Sequence, residues 1–343
     1  MGLRSNRHTT WLLMKSVVFC VGILSMLWAI NYVMTPAQGL VDPWAAVAQT
    51  SGEVDVVALG SSHTHCTVLP MEMWRAAGVT ALDITSGGQV MAVTAAYLKE
   101  ALRKHKPKVV LLDVHMMGAQ AVFKDRALAH ANLDYMPMGL ARAQGITRSL
   151  PASAWAGFFF PLETYHSRWV ALGPGDFSPS KYTSGAYARG SLYLPMAKPL
   201  DGVVTTSAVG EAAYQADLPY LREIAARCDE MGAQLVLVTS PGLLAQQVGK
   251  VPLAERMRAD LSGEYPSVRV LDLRLAADDA GVSMATDYKD EGHLNQRGAV
   301  KISVWLARYL AGEFDLADHR SDAFADQWNL DLAKYDEVFV TGW

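Results

Sequence analysis

The stretch "VDVVALGSSH", residues 54–63, sets the reading of the whole chain. Six residues that are apolar apart from Asp55 lead into Gly-Ser-Ser-His, which reads as a buried strand closing in a polar turn. Working outward, the same pattern returns. "ALDIT" (81–85), "KVVLLDV" (108–114), "QLVLVTS" (234–240) and "VRVLDL" (268–273) each read as a strand bounded by turn residues. Between them the spacing predicts helices over 70–77, 90–105 and 211–231. In the last of these Ala212, Leu218, Leu221, Ile224, Ala225 and Cys228 recur at helical intervals before Gly232. A final core helix is expected over 297–310. Strands alternating with helices imply right-handed crossovers and a mainly parallel sheet covered on both faces. The expected fold is α/β, a flavodoxin-like three-layer α/β/α sandwich spanning residues 54–312.

Two segments break the alternation. Residues 116–210, rich in Ala, Met, Gly, Pro and aromatics, are expected to form a large insertion after the third strand, a lid near the strands' carboxyl ends. Residues 313–343 combine acids with the spaced aromatics Phe314, Phe324, Trp328 and Tyr335. Such a tail either wraps the domain or meets a partner.

At the other end, "SVVFCVGILSMLWAINYVM" (16–34) carries no charge. Its length at ~1.5 Å per residue matches a hydrocarbon core of ~30 Å. It is expected to be a transmembrane anchor, with 1–15 as a cytoplasmic N-terminus and 35–53 as a spacer holding a short helix from Pro43. Arg4, Arg7 and Lys15 precede the span and the next basic residue is Arg75, so the positive-inside rule places the remainder outside the cytoplasm. A cleaved signal peptide is the competing reading. The run exceeds the ~7–15 residues of a signal core and ends in Trp28 and Tyr32, side chains suited to a membrane interface.

The formal charge of −4 on 343 residues, with no Lys/Arg run, argues against nucleic acid as a partner. Cys20, Cys66 and Cys228 match no zinc or redox spacing, and the last two are expected as buried free thiols. With no Gly-x-Gly-x-x-Gly motif or P-loop, no cofactor is implied, and His63 and His65 beside one Cys make a poor metal site.

In open α/β sheets ligands gather beyond the carboxyl ends of the strands, where Ser62 is expected. A serine there can attack a carbonyl if a base assists it; otherwise it merely caps a helix. The base is sought in "TDYKDEGHLNQRGA" (286–299), where Asp290 and His293 stand three apart before the last helix. One short turn can then present the imidazole while the carboxylate holds its other nitrogen. Asp287 is a rival for that carboxylate role. In "TYHSRW" (164–169), His166, Arg168 and Trp169 suit an anionic or sugar ligand. Equally, Trp169 could anchor the insertion while Arg168 pairs with an acid.

A Gly-x-Ser block after the first strand, the glycines of "SGGQ" after the second, and a late Asp-x-x-His together resemble the SGNH/GDSL hydrolase superfamily, over residues 54–115 and 211–312. Within it the chain looks most like membrane-anchored SGNH-like proteins that accompany membrane-bound O-acyltransferases, in the manner of alginate acetylation proteins and the D-alanyl transfer protein of teichoic acid synthesis. The resemblance implies Ser62 as nucleophile, His293 as general base, Asp290 as orienting acid, and an oxyanion hole from the backbone N–H groups of Ser62 and Gly88. Two departures stand out. Ser61 replaces the family's Asp, and "LLDVHMMG" (111–118) offers Asp113 and His115 where the third-block Asn belongs. With His63 and Asp287 these two are expected to surround the triad. The implied function is serine-dependent transfer of an acyl group, with acetyl the expected one, to a cell-surface polysaccharide, or ester hydrolysis on one, with a membrane O-acyltransferase as partner. The alternative is a catalytically silent glycan-binding or assembly subunit.

Overall fold

The computed structural model describes residues 3–37, 42–182, 185–191 and 195–339, with side chains from Thr9 onward. Arg4 and Arg7, which carry the topology expectation, lie outside the described side chains. So do residues 38–41 of the expected spacer and 183–184 and 192–194 of the expected insertion. The chain divides into two compact units. One comprises residues 38–152 and 182–343, the other residues 1–37 and 153–181.

The larger unit is α/β. Its central sheet contains β1 (Val56–Leu59), β2 (Ala81–Asp83), β3 (Val109–Asp113), β4 (Gln234–Thr239) and β5 (Arg269–Asp272). All pair in parallel, in the order β2-β1-β3-β4-β5. Each strand is shorter than its apolar run because the flanking residues belong to the turns. Side chains alternate between faces with period two. Val56, Ala58, Val109, Leu111, Val236 and Val238 join Met73, Leu273, Ile302, Leu306 and Leu310 in one core. The intervening Val57, Leu59, Val110, Leu112, Leu235 and Leu237 are equally buried on the opposite face. There the helices Met91–Ala101 and Glu211–Met231 pack against the sheet and each other. Burial on both faces explains why the strands read as continuous apolar runs.

The order reverses between β1 and β3, since the chain leaves β1 for β2 on one side and β3 leads to β4 on the other. In this class of sheet ligands are received outside the carboxyl ends of the strands at such a switch point.

The expected insertion is shared between the units. Helices Arg126–Leu133 and Leu140–Ser149 pack beside Met91–Ala101 in the α/β unit. Residues 153–181 belong instead with the N-terminal helix. Further on, Thr205–Val209 pairs in parallel with Leu244–Val248, which turns back on Val251–Pro252, a small sheet that the sequence reading did not predict. Of the two uses open to the tail, it takes the first. Helix Ala325–Phe339 packs Trp328, Tyr335 and Phe339 on Met71 and Trp74 of helix Pro70–Ala77. The spacer's short helix is Pro43–Gln49, its first turn capped by Asp42, and buried Trp44 lies edge-on to Tyr97 at 4.7 Å.

In the smaller unit, helix Leu3–Met34 includes an apolar stretch, Thr9–Met34, long enough to cross a membrane. The helix therefore begins well before the expected span and runs through Lys15, whose ammonium sits over the Trp11 ring.

Candidate active site

β1 delivers the chain to Gly60, whose φ of +146° is disfavoured for residues with a side chain. A Cβ there would collide with the Thr64 side chain and come within 2.7 Å of Asp113 Cβ. Only glycine lets the backbone turn this close to the end of β3. Ser61 follows in the N-cap position of a single helical turn, Ser62–His65, but its hydroxyl makes no capping bond and is buried without a partner among the described residues. Ser62 is thus the first residue of the turn rather than its cap. Its backbone N–H is one of those that no intrahelical carbonyl can reach.

The Ser62 Oγ lies 2.8 Å from His293 Nε2, across 231 positions of sequence. His293 and Asp290 are cross-strand partners in a tight antiparallel hairpin, Tyr288–Asp290 with His293–Leu294. Asp290 Oδ1 is 2.7 Å from His293 Nδ1 and also accepts the Gly292 N–H at 2.9 Å. A carboxylate only accepts, so Nδ1 carries the imidazole proton and Nε2 is left to receive one from Ser62. Burial by itself would raise Asp290, but the bonds from His293 and Gly292 N–H outweigh it and hold the carboxyl below its ordinary value. Directly behind the hairpin, Asn295 caps helix Gln296–Glu313 by accepting the N–H groups of Arg297 and Gly298. The helix therefore fixes where the hairpin ends. Ser62, His293 and Asp290 thus form one continuous hydrogen-bonded chain.

His63 and His115 stand beside it. Their rings stack at 3.5 Å between centroids, and His63 lies 4.6 Å from His293. Burial, with His115 and His293 adding to it, pushes His63 down to about 3. Burial lowers His115 as well. Both rings are neutral at neutral pH, so an imidazolium formed on His293 would meet no like charge from them. A Cβ on Gly292 would come within 3.0 Å of His63 Cε1, so the glycine between Asp290 and His293 makes room for this ring.

Asp113 is buried at the end of β3. It accepts the Ser240 hydroxyl at 2.5 Å and the His115 N–H at 2.7 Å, and burial raises its carboxyl above the ordinary value. It ties β3 to β4. Ser240 was missed at the sequence level, although its place just after the fourth apolar run was a usable signal. Asp287, the rival orienter, is turned away from His293: it pairs with Lys301 at 2.5 Å and accepts Thr286 Oγ1 at 2.9 Å and the Ser283 N–H at 2.8 Å. Gly88 lies in the turn after β2 at φ +60°, under Leu128, while Asn132 donates to the Gly87 carbonyl at 3.0 Å. That turn is therefore held by helix Arg126–Leu133. A cavity of about 230 Å³ opens beyond the ends of β3, β4 and β5, walled by His63, His115, Ser240, Leu253, Arg274 and Gly292.

Cys66 and Cys228 are buried free thiols, pushed up to about 12 by burial, and so unsuited to act as nucleophiles. His166, Arg168 and Trp169 lie in the smaller unit. Arg168 donates to the Met34 carbonyl at 2.7 Å and pairs with Asp176 at 2.8 Å, as the acid-pairing alternative expected. His166 Nδ1 bonds the Glu163 carbonyl and Trp169 is exposed. No family model and no curated protein matches the chain.

Proposed function

We propose that this protein is a membrane-anchored, extracytoplasmic serine acyltransferase or esterase of SGNH type, acting on a cell-surface polysaccharide. The observation that carries the reading is the chain of contacts from Ser62 Oγ to His293 Nε2 at 2.8 Å and from His293 Nδ1 to Asp290 at 2.7 Å. In the proposed reaction Ser62 Oγ attacks an acyl carbonyl as His293 Nε2 takes its proton, and Asp290 steadies the imidazolium. The N–H groups of Ser62 and Gly88 receive the developing oxyanion, where loss of one donor typically costs about 100- to 1000-fold in turnover. His293 then returns the proton to the leaving group. A glycan hydroxyl or water, deprotonated by the same imidazole, then takes the acyl group, and the imidazolium gives its proton to the departing Ser62 Oγ. An acetyl donor supplied through a membrane-bound O-acyltransferase fits the anchored arrangement. No metal or cofactor enters the reaction.

Treating the detergent-solubilised full chain with a fluorophosphonate probe tests this reading. Labelling of the native chain that disappears in Ser62→Ala is the expected result. A native chain left unlabelled under conditions that label a control serine esterase would overturn it. That outcome would favour a silent glycan-binding or assembly subunit, a reading motivated by Asp113 standing at the end of β3 where the superfamily supplies Asn.

A further inference from the structure

The segment 153–181 forms one compact unit with the N-terminal helix, and its polar groups are directed at that helix's last turn. Lys181 Nζ donates to the carbonyls of Tyr32 and Val33, both at 2.9 Å. Arg168 donates to Met34 at 2.7 Å and Val33 at 3.3 Å. Tyr32 returns a hydroxyl bond to the Ser178 carbonyl at 2.6 Å, and the Leu162 N–H reaches Asn31 Oδ1 at 2.8 Å. Asp176 joins the two cations, 2.8 Å from Arg168 and 3.1 Å from Lys181. The bond from Arg168, followed by the Gly173 N–H, holds its carboxyl well below the ordinary range. The free carbonyls and negative dipole end of the helix are thus met by two cations.

Arg168, Asp176 and Lys181 are turned inward, Glu163 is exposed, and large apolar side chains are exposed beside it. Phe160, Trp169, Val170 and Phe177 are 62%, 70%, 72% and 62% exposed. Among the described residues, every exposed Phe or Trp outside the apolar helix lies in this segment. Among its described side chains the helix is exposed as far as residue 29 and becomes covered from residue 30. The covering thus begins at the carboxyl end of the apolar stretch Thr9–Met34, which is long enough to cross a membrane.

We propose that residues 153–181 form an interfacial collar that seats Phe160, Trp169, Val170 and Phe177 in the headgroup region of the leaflet at the anchor's carboxyl end. Lipid is the occupant because the collar is bonded to Asn31–Met34, the carboxyl end of an apolar helix of membrane length. At that depth aromatic side chains partition favourably and a bound segment lies along the surface. The inference is independent of the chemistry at Ser62 and rests on the helix crossing a bilayer.

The test uses the full chain carrying Cys20→Ser, with an environment-sensitive fluorophore on Val170→Cys or Phe177→Cys, in phosphatidylcholine–phosphatidylglycerol vesicles. Some lipids carry a nitroxide near the top of the acyl chain. Trp28→Cys reports the span, Leu330→Cys reports an exposed site on the α/β unit, and the chain without an added cysteine gives the background. Quenching at 170 and 177 about twofold or more above that at 330, with blue-shifted emission, is expected for side chains in the interface. Quenching at 28 but not at 170 and 177 would overturn the collar and leave the anchor standing. No quenching at 28 would remove the anchor and the collar with it. Labels unquenched in these vesicles yet shielded in native membranes would assign the surface to a membrane protein and refute the lipid proposal.

Discussion

Asp83 and His65 face each other below the Ser62 turn, with His65 Nδ1 3.0 Å from Thr85 Oγ1 and Asp83 accepting the Thr85 hydroxyl at 2.6 Å. At 3.6 Å the two side chains have the geometry of an ion pair, yet burial pushes Asp83 up to about 8 and His65 down to about 4. Asp83 is fully buried and His65 largely so, which makes desolvation the larger effect, and at neutral pH both are uncharged. The stabilisation from protonated Asp83 is complete below its ordinary value of 3.8 and is lost as pH rises through about 8. That from neutral His65 is complete above 6.5 and is lost as pH falls through about 4. Of this pair only Asp83 still changes its contribution between pH 6.5 and 8, so Asp83→Asn should lessen the loss of stability there, read from urea midpoints. Asp42 and Asp217, raised to about 6 by burial, and Asp113 and Glu72, also raised by burial, act in the same direction and remain in the variant. Equal slopes in the two proteins would contradict the assignment. The sequence brought His65 forward only as half of a poor metal pair and Asp83 not at all, because a buried acid in a strand is recognised only by what surrounds it.

At the scale of elements, helix Ala325–Phe339 shows how a tail becomes part of a core. Trp328, Tyr335 and Phe339 recur at helical spacing, and all three are buried. Trp328 lies 5.1 Å from Trp74 between ring centroids, with the Arg189 guanidinium 4.3 Å from its ring. Tyr335 accepts from Gln296 at the start of the helix that follows the Asp290–His293 hairpin. Trp328→Ala should therefore cost about 3–5 kcal/mol in chemical denaturation, the range for deleting a fully buried large aromatic. A loss below about 1 kcal/mol, typical of a surface substitution, would mean that the helix is not part of the folded core. The aromatic spacing was visible in the sequence. Its destination was not, because an apolar stripe fits a partner protein as well as it fits helix Pro70–Ala77.

At the scale of the whole molecule, the division into two units makes the segment 153–181 dependent on the N-terminal helix. In a chain lacking residues 1–37, Arg168 and Lys181 lose their carbonyl acceptors. Limited proteolysis should then cut within 153–181 while sparing the five-stranded sheet, and the full chain in vesicles should resist at those bonds. Equal protection in both would show that the segment holds its structure alone. The sequence by itself determined the parallel sheet and its main helices, because burial on both faces forces uninterrupted apolar runs and turn residues mark their ends. It also determined an apolar helix of membrane length, and it singled out Ser62, Asp290 and His293 from their positions beside those elements. Tertiary structure alone supplied the contacts that separate Asp290 from its rival Asp287, since both carboxylates lie within one short segment and only the hairpin's pairing turns Asp290 toward the ring while Asp287 meets Lys301. It alone divided the residues following β3 between two units, because the carbonyls that Arg168 and Lys181 satisfy lie more than a hundred residues earlier. Periodicity records which face of an element is buried; it carries no record of which distant backbone completes a side chain's hydrogen bonds.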